Sequence, residues 1–329
     1  MNQPKNKKIV AFVVVIVLIS LILLYTNRGS TDLELPTGAG VSNIVTQATE
    51  DEIKVKTYTN EKLSYTIKVP EDWKKIIKDG CDTYIHSPSA TSVQIASIKY
   101  NPQFLSITAE IMTQEIAKEG GTLTNFMWIN PTTYSVVYTK GKLIYTEITS
   151  FDRVDAIRFV LTVEEKNADK MIKYISGIID GFQWTPKAPF PEGTFPVYSS
   201  YGNYEFVFPA NWKTAISNNV YLAQDQNSGA VISVSATKST ATYEKYSQID
   251  YANYASSGRP AYVLNSYSAD KNVIYAQGTY NANNVPMVLV QYLLASGTFE
   301  YTLSFEIPQS YFNNYSSLIN NIISTFRIY

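Results

Sequence analysis

Cysteine and histidine are almost absent from this chain: Cys81 and His86 are the single examples of each in 329 residues. One cysteine excludes an internal disulfide, a CxxC redox pair and a thiolate zinc site. One histidine excludes a histidine-rich metal site and leaves few acid–base arrangements. Charge is scarce too, at 17% of residues, and balanced to a net −1. Without a basic face there is no case for nucleic-acid binding. GxSxG, HExxH and P-loop motifs are missing, as is a GxGxxG placed after a strand. These scarcities predict a protein that is not an enzyme and holds no cofactor.

The clearest positive signal lies near the start. Ile9 to Tyr25 reads IVAFVVVIVLISLILLY, seventeen residues without a charge. At 1.5 Å per residue such a helix spans roughly 25 Å, close to the ~30 Å hydrocarbon core of a bilayer. Thr26 adds reach, Lys8 can snorkel and Tyr25 suits the interface, so the predicted span is 9–26. Lys5, Lys7 and Lys8 make residues 1–8 a basic tail, whereas Asp32 and Glu34 follow the span. The positive-inside rule then predicts a single-pass signal anchor in the cell membrane, with a cytoplasmic N-terminus and extracytoplasmic domains. The alternative is a cleaved signal peptide. Its apolar region is normally about 7–15 residues long and ends at a small-x-small site. Leu24-Tyr25-Thr26-Asn27-Arg28 offers no such site. Both readings place the bulk of the chain outside the cytoplasm. Residues 27–51, rich in Thr, Gly, Ser and Asn, read as a flexible linker with a reach of roughly 25–30 Å.

The rest of the chain looks duplicated. Tyr65, Ile67, Val69, Pro70 and Trp73 recur as Tyr204, Phe206, Phe208, Pro209 and Trp212, always 139 positions later. Ile175, Ile178, Ile179 and Phe182 recur as Ile319, Ile322, Ile323 and Phe326, now 144 positions later. The five-residue drift implies small insertions between. Four prolines in residues 185–196 favour an extended linker between the copies. The predicted domains are therefore 52–184 and 197–329. In each, a period-2 strand ends at the motif proline, which cannot donate to a ladder. A second strand passes through Val93 and Ile95, or Ile232 and Val234. A helix over Phe104 to Ala117 carries a stripe of Leu105, Ala109, Met112 and Ile116, with Tyr243 to Tyr254 as its counterpart. Three hairpin-linked strands and a closing helix complete each copy. The prediction is an α+β protein: two tandem α/β/α sandwiches with antiparallel sheets, preceded by one transmembrane helix.

The repeated Tyr-x-(Ile/Phe)-x-(Val/Phe)-Pro-x-x-Trp-Lys, followed by strand, helix, strands and a helix ending in Ile-Ile-x-x-Phe, resembles the PsbP-like family. That family shares its α/β/α sandwich with a Ran-binding nuclear import factor. The resemblance implies a mostly non-catalytic protein. Photosynthetic members bind the extrinsic side of photosystem II and help retain its calcium and chloride. Bacterial relatives are often anchored outside the cytoplasm. No family metal ligand transfers to a position of this sequence. The matching positions, Tyr65, Pro70, Trp73, Tyr204, Pro209 and Trp212, read as structural.

Few residues invite chemistry. His86 would need a nearby nucleophile and an orienting acid to act as a base, and the second copy has no histidine. Glu71-Asp72, Asp152 with Asp155, and Glu164-Glu165 lack the spacing of a calcium loop. The two copies differ in surface chemistry. Residues 52–185 carry 16 basic and 16 acidic residues, whereas 195–329 carry 6 and 7 but hold 17 of the 26 tyrosines. Tyr with Ser and Asn is a mix that recognition surfaces favour; it equally suits strands. At helical spacing Tyr243, Tyr246 and Tyr254 would share one face, either as an aromatic recognition strip or as the buried side. The expected function is a membrane-anchored binding or scaffold protein whose partner is an envelope protein. A cell-wall polymer held by the Tyr-rich copy is the alternative, and a hydrolase of unknown substrate is a third, disfavoured one.

Overall fold

The computed structural model describes residues 53–239, 247–270 and 272–329. The predicted basic tail, anchor (9–26) and linker (27–51) lie outside these residues, as do Tyr243 and Tyr246. Among the described residues no helix is long and apolar enough to cross a membrane. The chain divides into two compact units, Met1–Pro189 and Phe190–Tyr329.

In the first unit, β1 (Val55–Asn60), β2 (Tyr65–Pro70) and β10 (Gln183–Trp184) form a three-stranded antiparallel sheet. A seven-stranded antiparallel sheet has the order β3-β4-β5-β9-β8-β7-β6. Its strands are β3 (Lys74–Lys78), β4 (Cys81–His86), β5 (Thr91–Lys99), β6 (Thr122–Asn130), β7 (Thr133–Lys140), β8 (Leu143–Phe151) and β9 (Asp155–Glu164). Helix α1 (Ala109–Lys118) precedes β6, and α2 (Ala168–Asp180) follows β9. The small sheet and α2 bury Tyr65, Ile67, Val69, Ile175 and Ile179 against Val93, Ile95, Phe159 and Leu161 of the large sheet. On the opposite face Phe104 meets Phe151 at 5.7 Å, and Trp128 Nε1 donates to the Ile107 carbonyl at 3.3 Å.

This corrects the expected α/β/α layering. One covering layer mixes a helix with a second sheet, and the motif strand β2 belongs to that layer. The physical reason is Pro70, which ends the ladder, and a turn closed by Trp73 N donating to the Pro70 carbonyl (3.1 Å). The chain then starts a new sheet at β3. The predicted helix from Phe104 also begins later. Pro102–Ser106 is a 3-10 turn, and Thr108 caps α1 by accepting from Ile111 N at 3.3 Å. Of the predicted stripe only Ile116 is fully buried.

The second unit repeats the plan. Strands β11 (Thr194–Ser199), β12 (Tyr204–Pro209) and β20 (Arg327–Ile328) form the small sheet. The large sheet has the order β13-β14-β15-β19-β18-β17-β16. Its members are β13 (Lys213–Ser217), β14 (Val220–Gln224), β15 (Val231–Lys238), β16 (Val263–Asp270), β17 (Val273–Ala282), β18 (Val285–Ser296) and β19 (Phe299–Pro308). Helices α3 (Gln248–Ser256) and α4 (Phe312–Thr325) take the places of α1 and α2. Trp212 N again closes its turn on the Pro209 carbonyl, at 3.2 Å. Phe206, Phe208, Phe305 and Tyr301 fill the core. Each fully buried aromatic contributes about 1.5–3 kcal/mol relative to exposure.

Two further expectations change here. The predicted linker 185–196 overlaps β11, where Pro196 sits on an edge strand that tolerates a missing donor. Helix α3 is Gln248–Ser256, whereas the predicted helix ran from Tyr243 to Tyr254. Ser247 is extended (φ −67°, ψ 162°) and forms a capping box with Asp250. On this helix Ile249 is 72% exposed, while Tyr251 and Ala255 are buried. Most of the five-residue drift lies in one hairpin. The β17–β18 ladder runs two pairs beyond its first-copy counterpart, Asn281 with Pro286 and Ala282 with Val285, before an Asn283-Asn284 turn.

Candidate functional site

His86 stands at the end of β4, stacked between Trp73 (ring centroids 5.9 Å) and Tyr174 (6.3 Å). Its Nδ1 lies 2.6 Å from Ser89 Oγ and its Nε2 3.3 Å from Asp72 Oδ2. The structure thus supplies the nucleophile type and the acid that the sequence did not bring to His86. Ser89 is buried, however, and its hydroxyl also lies 2.7 Å from Thr91 Oγ1. A catalytic hydroxyl must face its substrate, whereas this one is bonded inside its own turn.

The second copy shows what this arrangement does. At the position of His86 stands Asp225, and at that of Ser89 stands Ser228, both 139 residues later. Ser228 Oγ donates to Asp225 Oδ2 at 2.9 Å, and Tyr315 OH donates to the same oxygen. Asp225 also accepts from Asn227 N at 2.9 Å. A serine bonded to the side chain three residues before it is therefore kept while the histidine is not. In both copies it braces the turn from the second to the third strand of the large sheet.

A second polar cluster lies beneath β2. Tyr65 OH donates to Asp82 Oδ2, Asn60 Nδ2 donates to it at 2.8 Å, and Lys75 Nζ lies 3.2 Å away. Burial alone would raise the Asp82 carboxyl, but these donors hold it below the usual carboxylate range. Burial pushes the Tyr65 phenol up, and its bond to Asp82 adds to this. All donors converge on one acid, so the cluster is an internal tie. Asp152, Asp155 and Glu164 are tied internally as well. Asp152 accepts four backbone amides, and Asp155 pairs with Lys187 at 2.8 Å. Glu164 pairs with Lys166 at 2.8 Å. Among the described residues no three His, Cys, Asp or Glu side chains gather as a metal set.

The surface that carries Tyr254 is different in kind. Tyr254, on α3, is 53% exposed, and its ring lies 6.3 Å from that of buried Tyr251. Tyr251 stacks toward Tyr267 at 5.6 Å and donates to Gln291 Oε1 at 2.7 Å. Just past the helix, Arg259 pairs with Glu306 Oε1 at 2.6 Å and donates to the Ala255 carbonyl at 3.1 Å. Tyr280 OH donates to Glu306 Oε2 at 2.7 Å, and the guanidinium sits 5.7 Å from the Tyr280 ring centre. Burial works against the Arg259 charge, but the Glu306 contact more than offsets it and holds the guanidinium protonated. Burial pushes the Tyr251 and Tyr280 phenols up. The result is an exposed aromatic ring beside a fixed, half-buried donor–acceptor pair.

The first copy has the same chemistry on the same sheet face, built from other positions. Tyr138 OH donates to Glu147 Oε1 at 2.8 Å, Arg158 Nε lies 3.9 Å from Glu147, and Tyr138 stacks on Tyr145 at 4.8 Å. The counterparts of Glu147 and Arg158 in the second copy are Gln291 and Thr302. Sequence reading missed Arg259 and Glu306. Their signals were weak: Gly258-Arg259-Pro260 reads as a turn, and Glu306 occupies the outward phase between inward Phe305 and Ile307. Tyr254 lies in this surface; Tyr243 and Tyr246 lie outside the described residues.

The chain matches no family model, and no curated protein matches it. Solved structures similar to it include cyanobacterial PsbP (CyanoP) from Synechocystis sp. PCC 6803. That match has 15% identity and a TM-score of 0.32, and covers 42% of this chain and 94% of that one. The immunity protein TplEi of T6SS from Pseudomonas aeruginosa is similar at 8% identity and a TM-score of 0.26, covering 84% of this chain and 98% of that one. A structure from Bacteroides thetaiotaomicron has 14% identity and a TM-score of 0.29, covering 42% of this chain and 49% of that one. At these values the likeness identifies no ligand and no partner.

Proposed function

We propose that the protein is a non-enzymatic binding or scaffold protein, held in the cell membrane by residues 9–26 with both domains outside the cytoplasm and directed at an envelope partner. One observation carries the non-catalytic part. In the Asp72–His86–Ser89 chain the serine is buried and bonded within its own turn, and the second copy keeps that serine as a turn brace without the histidine. Support for the location comes from the uncharged run at Ile9 to Tyr25 and the lysines before it. The test is protease shaving of intact cells with the outer envelope opened. Both domains should be digested while residues 1–26 stay with carbonate-washed membranes. Full-length chain free in the cytosol overturns the reading, as does hydrolytic turnover lost in Ser89→Ala.

A second reading is favoured by Tyr254 beside Arg259 and Glu306. An exposed ring next to a fixed donor–acceptor pair suits a neutral sugar, which stacks one face and hydrogen-bonds at its edge. Co-sedimentation of the full chain with purified wall polymer tests it. Equal pelleting of wild type and Tyr254→Ala removes the motivation.

A further inference from the structure

The two large sheets present four outer edges, and three of them are guarded against pairing. Strand β3 carries Lys74, Lys75 and Lys78. Strand β6 is broken by two register shifts and β16 by one. Lysines and bulges are the ordinary devices that keep a sheet edge from pairing with another chain. Strand β13 has no bulge, and its one lysine is Lys213 at its first position. Its ladder to β14 is regular from Lys213 to Ser217. All five of its residues are exposed, with Ile216 at 68%. The positions of Lys75 and Lys78 are taken by Thr214 and Ser217, so a single lysine remains, at the first position.

We infer that β13 is the pairing edge for a second copy of this chain, joined antiparallel about a two-fold axis through Ala215. This goes beyond membrane binding and does not require it. The argument for a second copy is charge. Two-fold pairing centred on Ala215 sets Lys213 opposite Ser217, Thr214 opposite Ile216, and Ala215 opposite itself. No like charges meet, and the β-branched pair is a favourable cross-strand neighbour. The same operation on β3, centred on Ile76, sets Lys74 opposite Lys78. Like charges placed opposite each other repel. One copy of the domain is thus self-repelling along this edge and the other self-compatible, and the hydrogen-bond donors and acceptors of β13 that face away from β14 are exposed and free to take an added strand. Five ladder residues bury less than the roughly 800 Å² per partner of a stable dimer, so the pairing is weak in dilute solution.

The experiment uses the full chain in its native membranes or in detergent, with Cys81→Ser to leave one reporter thiol. Residues directly opposite in an antiparallel pair have Cα atoms about 4.5–5.5 Å apart, inside the disulfide range. Ala215→Cys should therefore give a covalent dimer under mild oxidation. Thr214→Cys and Ile216→Cys should each give little alone, but should cross-link to each other when the two variants are mixed. Ile76→Cys, at the equivalent place on β3, is the background. Ala215→Lys places two charges across the axis and should cut the dimer fraction seen by sedimentation at high concentration by at least tenfold. Dimer from Ala215→Cys no greater than from Ile76→Cys overturns the inference. Equal cross-linking at 214, 215 and 216, or an unchanged dimer fraction in Ala215→Lys, does the same.

Discussion

Asp152 offers the sharpest test of how the first domain is closed. It is 1% exposed, and its carboxylate is held by backbone amides. Oδ1 accepts from Val154 N (2.7 Å) and Asp155 N (2.8 Å); Oδ2 accepts from Lys187 N (2.6 Å) and Ala188 N (3.0 Å). The carboxylate therefore ties the segment after β10 to the turn between β8 and β9. Arg153 N adds a bond to the Ala188 carbonyl at 3.0 Å. A hydrogen bond to a charged group contributes about 1.5–3 kcal/mol, so four would sum to roughly 6–12. The amides of Lys187 and Ala188 regain water once the segment detaches, which removes about half of that. Asp152→Ala should then cost about 3–6 kcal/mol, a large share of the ~5–15 kcal/mol of a typical domain. Asp152→Asn keeps one acceptor but turns an amide donor toward two N–H groups, and should cost somewhat less. Burial alone would raise the Asp152 carboxyl, whereas the four amides hold it below its ordinary value. A depressed carboxyl contributes stability above its unfolded value of about 4, and loses it as pH falls through the folded value. The stability difference between wild type and Asp152→Ala should therefore shrink below pH 4. Urea unfolding followed by tryptophan fluorescence reads this, and limited trypsinolysis adds an independent measure. Release of the segment should expose the Lys187–Ala188 bond and split the chain near residue 187. A variant within 0.5 kcal/mol of wild type, with no new cut, would refute the reasoning.

Ser89→Ala and Ser228→Ala should each cost about 1–2 kcal/mol, the range for losing a turn-closing side-chain bond; an effect confined to Ser89 in thermal unfolding contradicts a shared brace. Gly278→Ala places a Cβ within 2.5–2.6 Å of the Tyr262 ring, so the ring must leave the sheet; about 1–3 kcal/mol is expected, and no loss of stability shows the packing to be looser than described. Tyr251→Phe removes the hydroxyl bonded to Gln291 Oε1 and leaves a buried amide short of a partner, which should cost about 1–3 kcal/mol; the double variant with Gln291→Leu should recover much of it, and failure to do so would place the cost elsewhere.

The duplication was legible because it is written in residues whose burial leaves little choice. Tyr65, Ile67 and Val69 alternate with polar neighbours, and Pro70 ends the strand in both copies by covalent geometry alone. The central strands β5, β8 and β9 were legible for the same reason, since one face of each must be apolar. Strands β1, β3, β4 and β6 were not, because they are edge or near-edge strands whose mixed faces carry no clean period. The start of helix α3 was not legible in the tyrosine spacing, because the capping box of Ser247 and Asp250 settles where it begins. Of the candidate surface, only Tyr254 could be picked from sequence. Composition already narrowed the chemistry of this chain: one histidine and one cysteine exclude a histidine-rich metal site and an internal disulfide. Whether His86 meets a serine, whether Asp152 grips a segment 35 residues away, and whether Arg259 finds Glu306 were decided only by the tertiary structure. Such contacts depend on which strands become neighbours, and strand order is set by the packing of the whole sheet rather than by any local period.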